Sequence, residues 1–125
     1  MRNARLDVIA MIALAAAAGC GSTAEHERAV ACDELQTSAS EMVGKAFDDN
    51  RACQVASDCV ELAFQASCFD SCSRAVAKTG MAAVQAAIDA VEAQQCAQAN
   101  NNGCRVEVPP CVPPAQVTCT GGLCQ

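Results

Sequence analysis

Tryptophan and tyrosine are absent from this sequence, and phenylalanine occurs only at positions 47, 64 and 69. A core without large rings must be assembled from Ala, Val, a few Leu and Met and those three Phe, and it buries little area per residue. The chain has 125 residues, room for one domain, and small domains with thin cores need a covalent or metal staple. Basic residues are sparse, eight Lys or Arg against fourteen Asp or Glu. Nowhere do they cluster, which removes the electrostatic footprint of a nucleic-acid binder. No apolar run reaches the roughly 18 residues that span a bilayer. Histidine occurs once, as His26, and no C-x-x-C, G-x-S-x-G, H-E-x-x-H or glycine-rich phosphate loop is present. The usual motifs of zinc binding, dithiol redox catalysis, hydrolysis and nucleotide binding are therefore missing.

Cysteine is abundant instead, with eleven residues in the chain. The N-terminus tells which compartment they meet. Arg2 and Arg5 precede Val8 to Ala18, an unbroken run of Val, Ile, Ala, Met and Leu. That run has the length of a signal-peptide h-region and is too short to be a membrane anchor. Two cleavage patterns compete after it. Ala17-Ala18-Gly19-Cys20 resembles a lipobox, with Ala17 where Leu is usual, which would make Cys20 the acylated first residue of the mature chain. Ser22-Thr23-Ala24 instead offers small residues for ordinary signal peptidase, and cleavage there would release a secreted protein. The expected organisation is a signal peptide over 1–19, an acylated anchor and polar tether over 20–25, and one disulfide-rich domain over 26–125.

Parity fits either cleavage. Without Cys20 the pool is Cys32, Cys53, Cys59, Cys68, Cys72, Cys96, Cys104, Cys111, Cys119 and Cys124. Ten is even, so five disulfides form with no thiol left over in an oxidising compartment. Cys68-x3-Cys72 has a metal-ligand spacing, but it lacks a second pair and a nearby histidine, so no cofactor or metal is expected. His26, in the tether region, reads as solvated surface, and Asp48-Asp49 as a helix-ending acidic turn. Once Arg2, Arg5 and Asp7 are removed, six basic residues face thirteen acidic ones. A surface of that sign favours solubility and leaves acyl chains as the contact with membrane.

Along the chain, Val30, Leu35, Ala39, Met42, Val43 and Ala46-Phe47 recur at helical steps and predict a helix over 26–49 that stops at Asp48-Asp49-Asn50. Cys59 to Phe64 alternates weakly and predicts a short strand. Thr79 is a candidate N-cap for a second helix from about Gly80 to Ala97, with Met81, Val84, Ile88 and Val91 as its apolar seam, ended by Asn100-Asn101-Asn102-Gly103. Pro109-Pro110-Cys111-Val112-Pro113-Pro114 excludes helix and central strand and predicts extended backbone. Gly121-Gly122 between Gln116–Thr120 and Leu123–Gln125 signals a two-residue hairpin. The expected fold class is small α+β and disulfide-rich, with two helices packed on a two- or three-stranded sheet drawn from Cys59–Phe64 and the C-terminal hairpin.

The string Cys53-x5-Cys59-Val60, with Ser57-Asp58 before Cys59, and the ending Cys119-Thr120-Gly121-Gly122-Leu123-Cys124 carry a family resemblance. With the lipobox, the chain resembles the cysteine-rich lipoproteins numerous in myxobacterial genomes. Their order is lipobox, helical stretch, C-x-x-D-S-D-C-V, further cysteines, Ala-rich helix, proline-rich connector and a closing C-x-x-G-x-C. Ala56 stands where that pattern has its first Asp. The resemblance implies export and a disulfide scaffold and carries no activity with it. The expected function is that of a lipid-anchored, non-catalytic envelope protein that binds an unidentified protein or small molecule or has a structural role. Gly21 after the anchor cysteine favours the outer membrane by the sorting rule of enteric bacteria. The alternative is a protease-inhibitor-like module, because Arg105 to Pro114 is an extended segment flanked by cysteines and a rigid loop loses little entropy on binding.

Overall fold

The computed structural model describes residues 21–107, 110–112 and 116–125. The signal segment, Cys20 and the proline-rich positions 108–109 and 113–115 lie outside the described residues. Helix α1 spans Gly21–Asp49. It begins five residues earlier than its apolar periodicity indicates and takes in the segment expected to be a tether. No proline interrupts residues 21–49, and once a helix is nucleated each further residue adds a hydrogen bond at little cost. Periodicity therefore marks the part of α1 that packs, and the helix itself is longer. Residues 23–30 are exposed, and burial begins in earnest at Ala39, Val43 and Phe47, which lie on one face at i, i+4, i+8. Asn50 ends the helix: its side-chain Nδ2 donates to the Ala46 carbonyl at 2.8 Å, and its backbone N–H donates to Phe47 O at 3.0 Å.

Strand β1, Cys59–Leu62, pairs antiparallel with β2, Arg74–Ala77, in the register Cys59 opposite Ala77 and Leu62 opposite Arg74. β1 is two residues shorter than expected, and its partner is β2 rather than the hairpin. β2 is a short Arg-Ala-Val-Ala segment in which only Val76 is β-branched, so propensity gives it almost no signal. Its pairing comes from burial, since Val76 and Ala77 face the interior.

The chain then enters helix α2, Met81–Val91, continues through a wider π turn at Glu92–Cys96, and finishes as helix α3, Ala97–Asn101. The helical stretch thus runs into the Asn-rich segment and stops at Asn102-Gly103, where Gly103 adopts φ 70°. Val84, Ile88 and Val91 form the buried seam, while Met81 lies at the rim, 37% exposed. Thr79 is not the cap: it sits in the 3-10 turn Lys78–Gly80, and Gly80 precedes the helix without a side-chain cap. A Cβ on Gly80 would lie 2.5 Å from Asn50 Cβ, so this position accepts only glycine without movement of the α1 end. The π turn has a packing cause. Cys96 lies five residues after Val91, and a regular α-helix would place Gln95 on that face. The wider turn brings Cys96 round to join Ile88, Val91 and Ala99 in the core.

The core lies between α1 and the α2–α3 stretch, closed on its third side by Val76 of β2 and by Phe69. Phe47 and Phe64 meet with ring centroids 5.3 Å apart, and the Arg74 guanidinium covers Phe47 at 5.1 Å. A second, smaller cluster holds Cys59, Ala77 and Cys124 with Cys53, Cys119 and Val117, so sulfur makes much of its interior. The C-terminal hairpin forms as its glycines indicate: β3, Cys119–Thr120, and β4, Leu123–Cys124, flank Gly121 and Gly122 at φ 61° and 79°. It is a separate two-stranded sheet, and its outer neighbour is the segment around Ala52, which bridges Leu123. The protein is a small disulfide-rich α+β domain.

Candidate functional site

All ten cysteines from Cys32 onward are paired: Cys32–Cys104, Cys53–Cys119, Cys59–Cys124, Cys68–Cys96 and Cys72–Cys111. Each bridge joins one of the first five of these cysteines to one of the last five. Cys68–Cys96 lies wholly inside the core, whereas Cys111 is exposed and its partner Cys72 half-buried. Among the described residues one trio of potential metal ligands lies together, Cys53, Cys59 and Cys124, within 4.8 Å of one another. All three sulfurs are in disulfides and offer no thiolate. Among the described residues no helix is long and apolar enough to cross a membrane. Cross-linking of this density fits an extracellular or envelope protein.

Two surface regions combine shape with polar groups. The first lies where α1 meets the segment after α3. Gln36, Ser40, Phe69, Asp70, Arg105 and Glu107 line a cavity of about 320 Å³. The cysteine-flanked segment begins here, fastened by Cys32–Cys104 at one end and by Cys72–Cys111 at the other. Arg105 exposes its side chain, but its carbonyl is held by Gln36 Nε2 at 2.9 Å. Protease-inhibitor loops leave the carbonyl of the pocket-entering residue free for the enzyme's oxyanion donors, so Arg105 is already committed on its backbone side. Val112, beyond the second anchor, is 87% exposed.

The second region lies beside the hairpin. Ala52, Cys53, Gln54, Asp58, Ala77, Lys78 and Thr79 surround an open groove of about 640 Å³. Asp58 organises its rim: the carboxylate accepts the backbone N–H groups of Gln54 at 2.9 Å and Val55 at 3.1 Å. Those two amides hold its pKa below the ordinary value of 3.8, with a smaller contribution from the Lys78 charge. The sequence signal for this turn is an acidic residue three and four positions after the amides it receives. Lys78 and Thr79 join the groove only because β2 ends beside Cys53, which no local pattern announces.

His26 is exposed on the first turns of α1. Asp48 and Asp49 are ion-pair partners at the helix end: Asp49 meets Lys45 at 2.6 Å, while Asp48 lies 3.4 Å from Arg51 and 3.9 Å from Arg74. The Asp49 hydrogen bond raises the Lys45 pKa. Elsewhere Glu92, at the start of the π turn, accepts the Ser67 backbone N–H at 2.6 Å and the Ser67 hydroxyl at 2.7 Å, and Asn100 donates to that hydroxyl at 3.0 Å. This network fastens the loop before Cys68 to the helix that carries Cys96. No family model, curated protein or solved structure matches this chain.

Proposed function

We propose that this chain is an exported, lipid-anchored protein of the cell envelope, held by acyl chains on Cys20 and displaying a non-catalytic, disulfide-stapled domain. The observation that carries this reading is Ala17-Ala18-Gly19-Cys20 directly after a signal-type apolar run; the closure of the other ten cysteines on one another supports export and leaves Cys20 outside the disulfide set, whichever cleavage occurs. The likeness to myxobacterial cysteine-rich lipoproteins points the same way, and Gly21 favours the outer membrane over retention in the inner one. Helix α1 suits this role: it starts at Gly21, and its exposed residues 23–30 act as a spacer between anchor and domain. The partner is a protein or small molecule taken at the surface grooves, and the acidic balance argues against nucleic acid. Two or three acyl chains make such an anchor stable where one would be marginal. Intact-mass analysis of the membrane-extracted protein tests it directly. The expected mass is that of residues 20–125 plus acyl and glyceryl groups. Cys20→Ala should abolish processing or release the protein into the soluble fraction, and a variant that stays membrane-bound at mature size overturns the reading.

A second reading, a protease-inhibitor-like module, rests on the double fastening of the segment between Cys104 and Cys111. Inhibition assays against trypsin-like and subtilisin-like enzymes test it.

A further inference from the structure

The sulfur cluster beside the hairpin has a geometry that the other bridges lack. Cys53 Sγ lies within 4.8 Å of both sulfurs of the Cys59–Cys124 bridge, while itself bonded to Cys119. Among the described residues no other pair of bridges brings three sulfurs that close. The two bridges also differ in access. Cys59 is 8% and Cys124 1% exposed, whereas Cys53 and Cys119 are half-buried and Cys53 forms part of the open 640 Å³ groove. Lys78 and Asp58 also line that groove, the Asp58 carboxylate accepting two backbone amides.

We propose that this sulfur cluster is a thiol–disulfide exchange site at which an external dithiol reduces the outer bridge, Cys53–Cys119, and passes its electrons inward to Cys59–Cys124 through Cys53. The steps balance with the dithiol as the named reductant. One thiolate of the dithiol attacks Cys119 Sγ, forming a mixed disulfide and expelling Cys53 as a thiolate. The second thiol of the dithiol, losing its proton to solvent, displaces Cys119, which takes up a proton. The dithiol leaves as a cyclic disulfide, oxidised by two electrons. The Cys53 thiolate then attacks Cys59 or Cys124, forms a new bridge to it and expels the other as a thiolate. The chain ends with one bridge fewer, two thiols gained, and a thiol at a buried position that the reductant did not reach. This proposal is independent of lipid anchoring.

The test uses the oxidised mature protein and one equivalent of dithiothreitol, sampled over time, quenched in acid, alkylated and peptide-mapped. The expected map shows a peptide linked between Cys53 and either Cys59 or Cys124, with label on Cys119 and on the displaced cysteine. Label confined to Cys53 and Cys119, label on Cys59 and Cys124 with the outer bridge intact, or earlier opening of a different bridge such as Cys72–Cys111 overturns it. In the double variant Cys53→Ser/Cys119→Ser the inner bridge should open about tenfold more slowly, since direct attack on a buried sulfur is all that remains. An unchanged rate in a variant with wild-type circular dichroism refutes the relay, and the wild-type map decides the matter if that variant does not fold.

Discussion

Removing the Cys32–Cys104 bridge measures how far the long helix depends on cross-linking. The two residues are 72 apart in sequence, but the remaining bridges shorten the loop that reopens. The shortest path runs from Cys32 to Cys53, across to Cys119 and back to Cys104, about 36 residues, and the chain-entropy relation for a loop of that size gives about 4 kcal/mol at ~25 °C. A domain of this size is stable by only about 5–15 kcal/mol. The double variant Cys32→Ser/Cys104→Ser should therefore lose a large share of its stability, equivalent to ~15–30 °C in melting temperature at about 4–8 °C per kcal/mol. Urea titration followed by circular dichroism reads the loss, and hydrogen exchange locates it. Residues 23–36 should exchange fastest, because α1 packs firmly only from Ala39 onward and its other fastening nearby is Gln36 to Arg105. A midpoint within about 1 kcal/mol of wild type, with unchanged exchange over 23–36, would refute the view that this bridge rather than packing holds that half of α1.

Three further outcomes are expected. Phe47→Ala should cost about 3–5 kcal/mol in urea titration, since Phe47 is the largest fully buried side chain among the described residues and the substitution also removes its Phe64 and Arg74 contacts; Met81→Ala, at the rim, should cost far less. Alkylation of the denatured, non-reduced mature protein should label no cysteine from Cys32 onward and label ten after reduction, and reduction should abolish both tertiary and helical circular dichroism at neutral pH; two free thiols or a retained cooperative melt contradict this. Asp58 has a folded pKa below its ordinary 3.8, so its contribution is present above that value and is lost as pH falls through the folded pKa. Its NMR titration midpoint should lie below 3.8, and Asp58→Asn should flatten the acid limb of the stability profile.

The elements whose cause is local were legible in the sequence. Gly121-Gly122 dictates a tight hairpin wherever it is placed, and the Val84, Ile88, Val91 seam names the buried face of α2. Ala39, Val43 and Phe47 likewise reveal where α1 packs, but a helix with an unpacked half gives no periodic signal there, so its start was not legible. β2 was invisible because Arg74-Ala75-Val76-Ala77 is a strand by partnership with β1 and not by propensity. The π turn has no sequence signature; it is the answer to a five-residue spacing between Val91 and a cysteine that must reach Cys68. Thr79 carries the right chemistry for a cap, but the 3-10 turn forced by close approach of Gly80 to Asn50 displaces it. Pairing of ten cysteines admits about 945 arrangements, and spacing alone favours none of them. The groove beside the hairpin was hidden for the same reason, since Cys53, Asp58 and Lys78 meet only once the bridges are closed.

The division of the bridges between the two halves of the chain has a consequence for biogenesis. A polypeptide emerges N-terminus first, and Cys32, Cys53, Cys59, Cys68 and Cys72 all appear before any native partner exists, the earliest being Cys96. An oxidase that joins cysteines in order of appearance would build only wrong bridges, such as Cys32 to Cys53, and each would have to be undone. Native pairing therefore starts only once Cys96 is delivered and is complete only after Cys124, and its yield should depend on a disulfide isomerase more than on an oxidant. Heterologous production in a compartment that oxidises quickly but reshuffles poorly should trap scrambled monomers, whereas slow oxidation of the completed, reduced chain in a thiol buffer should recover the native set.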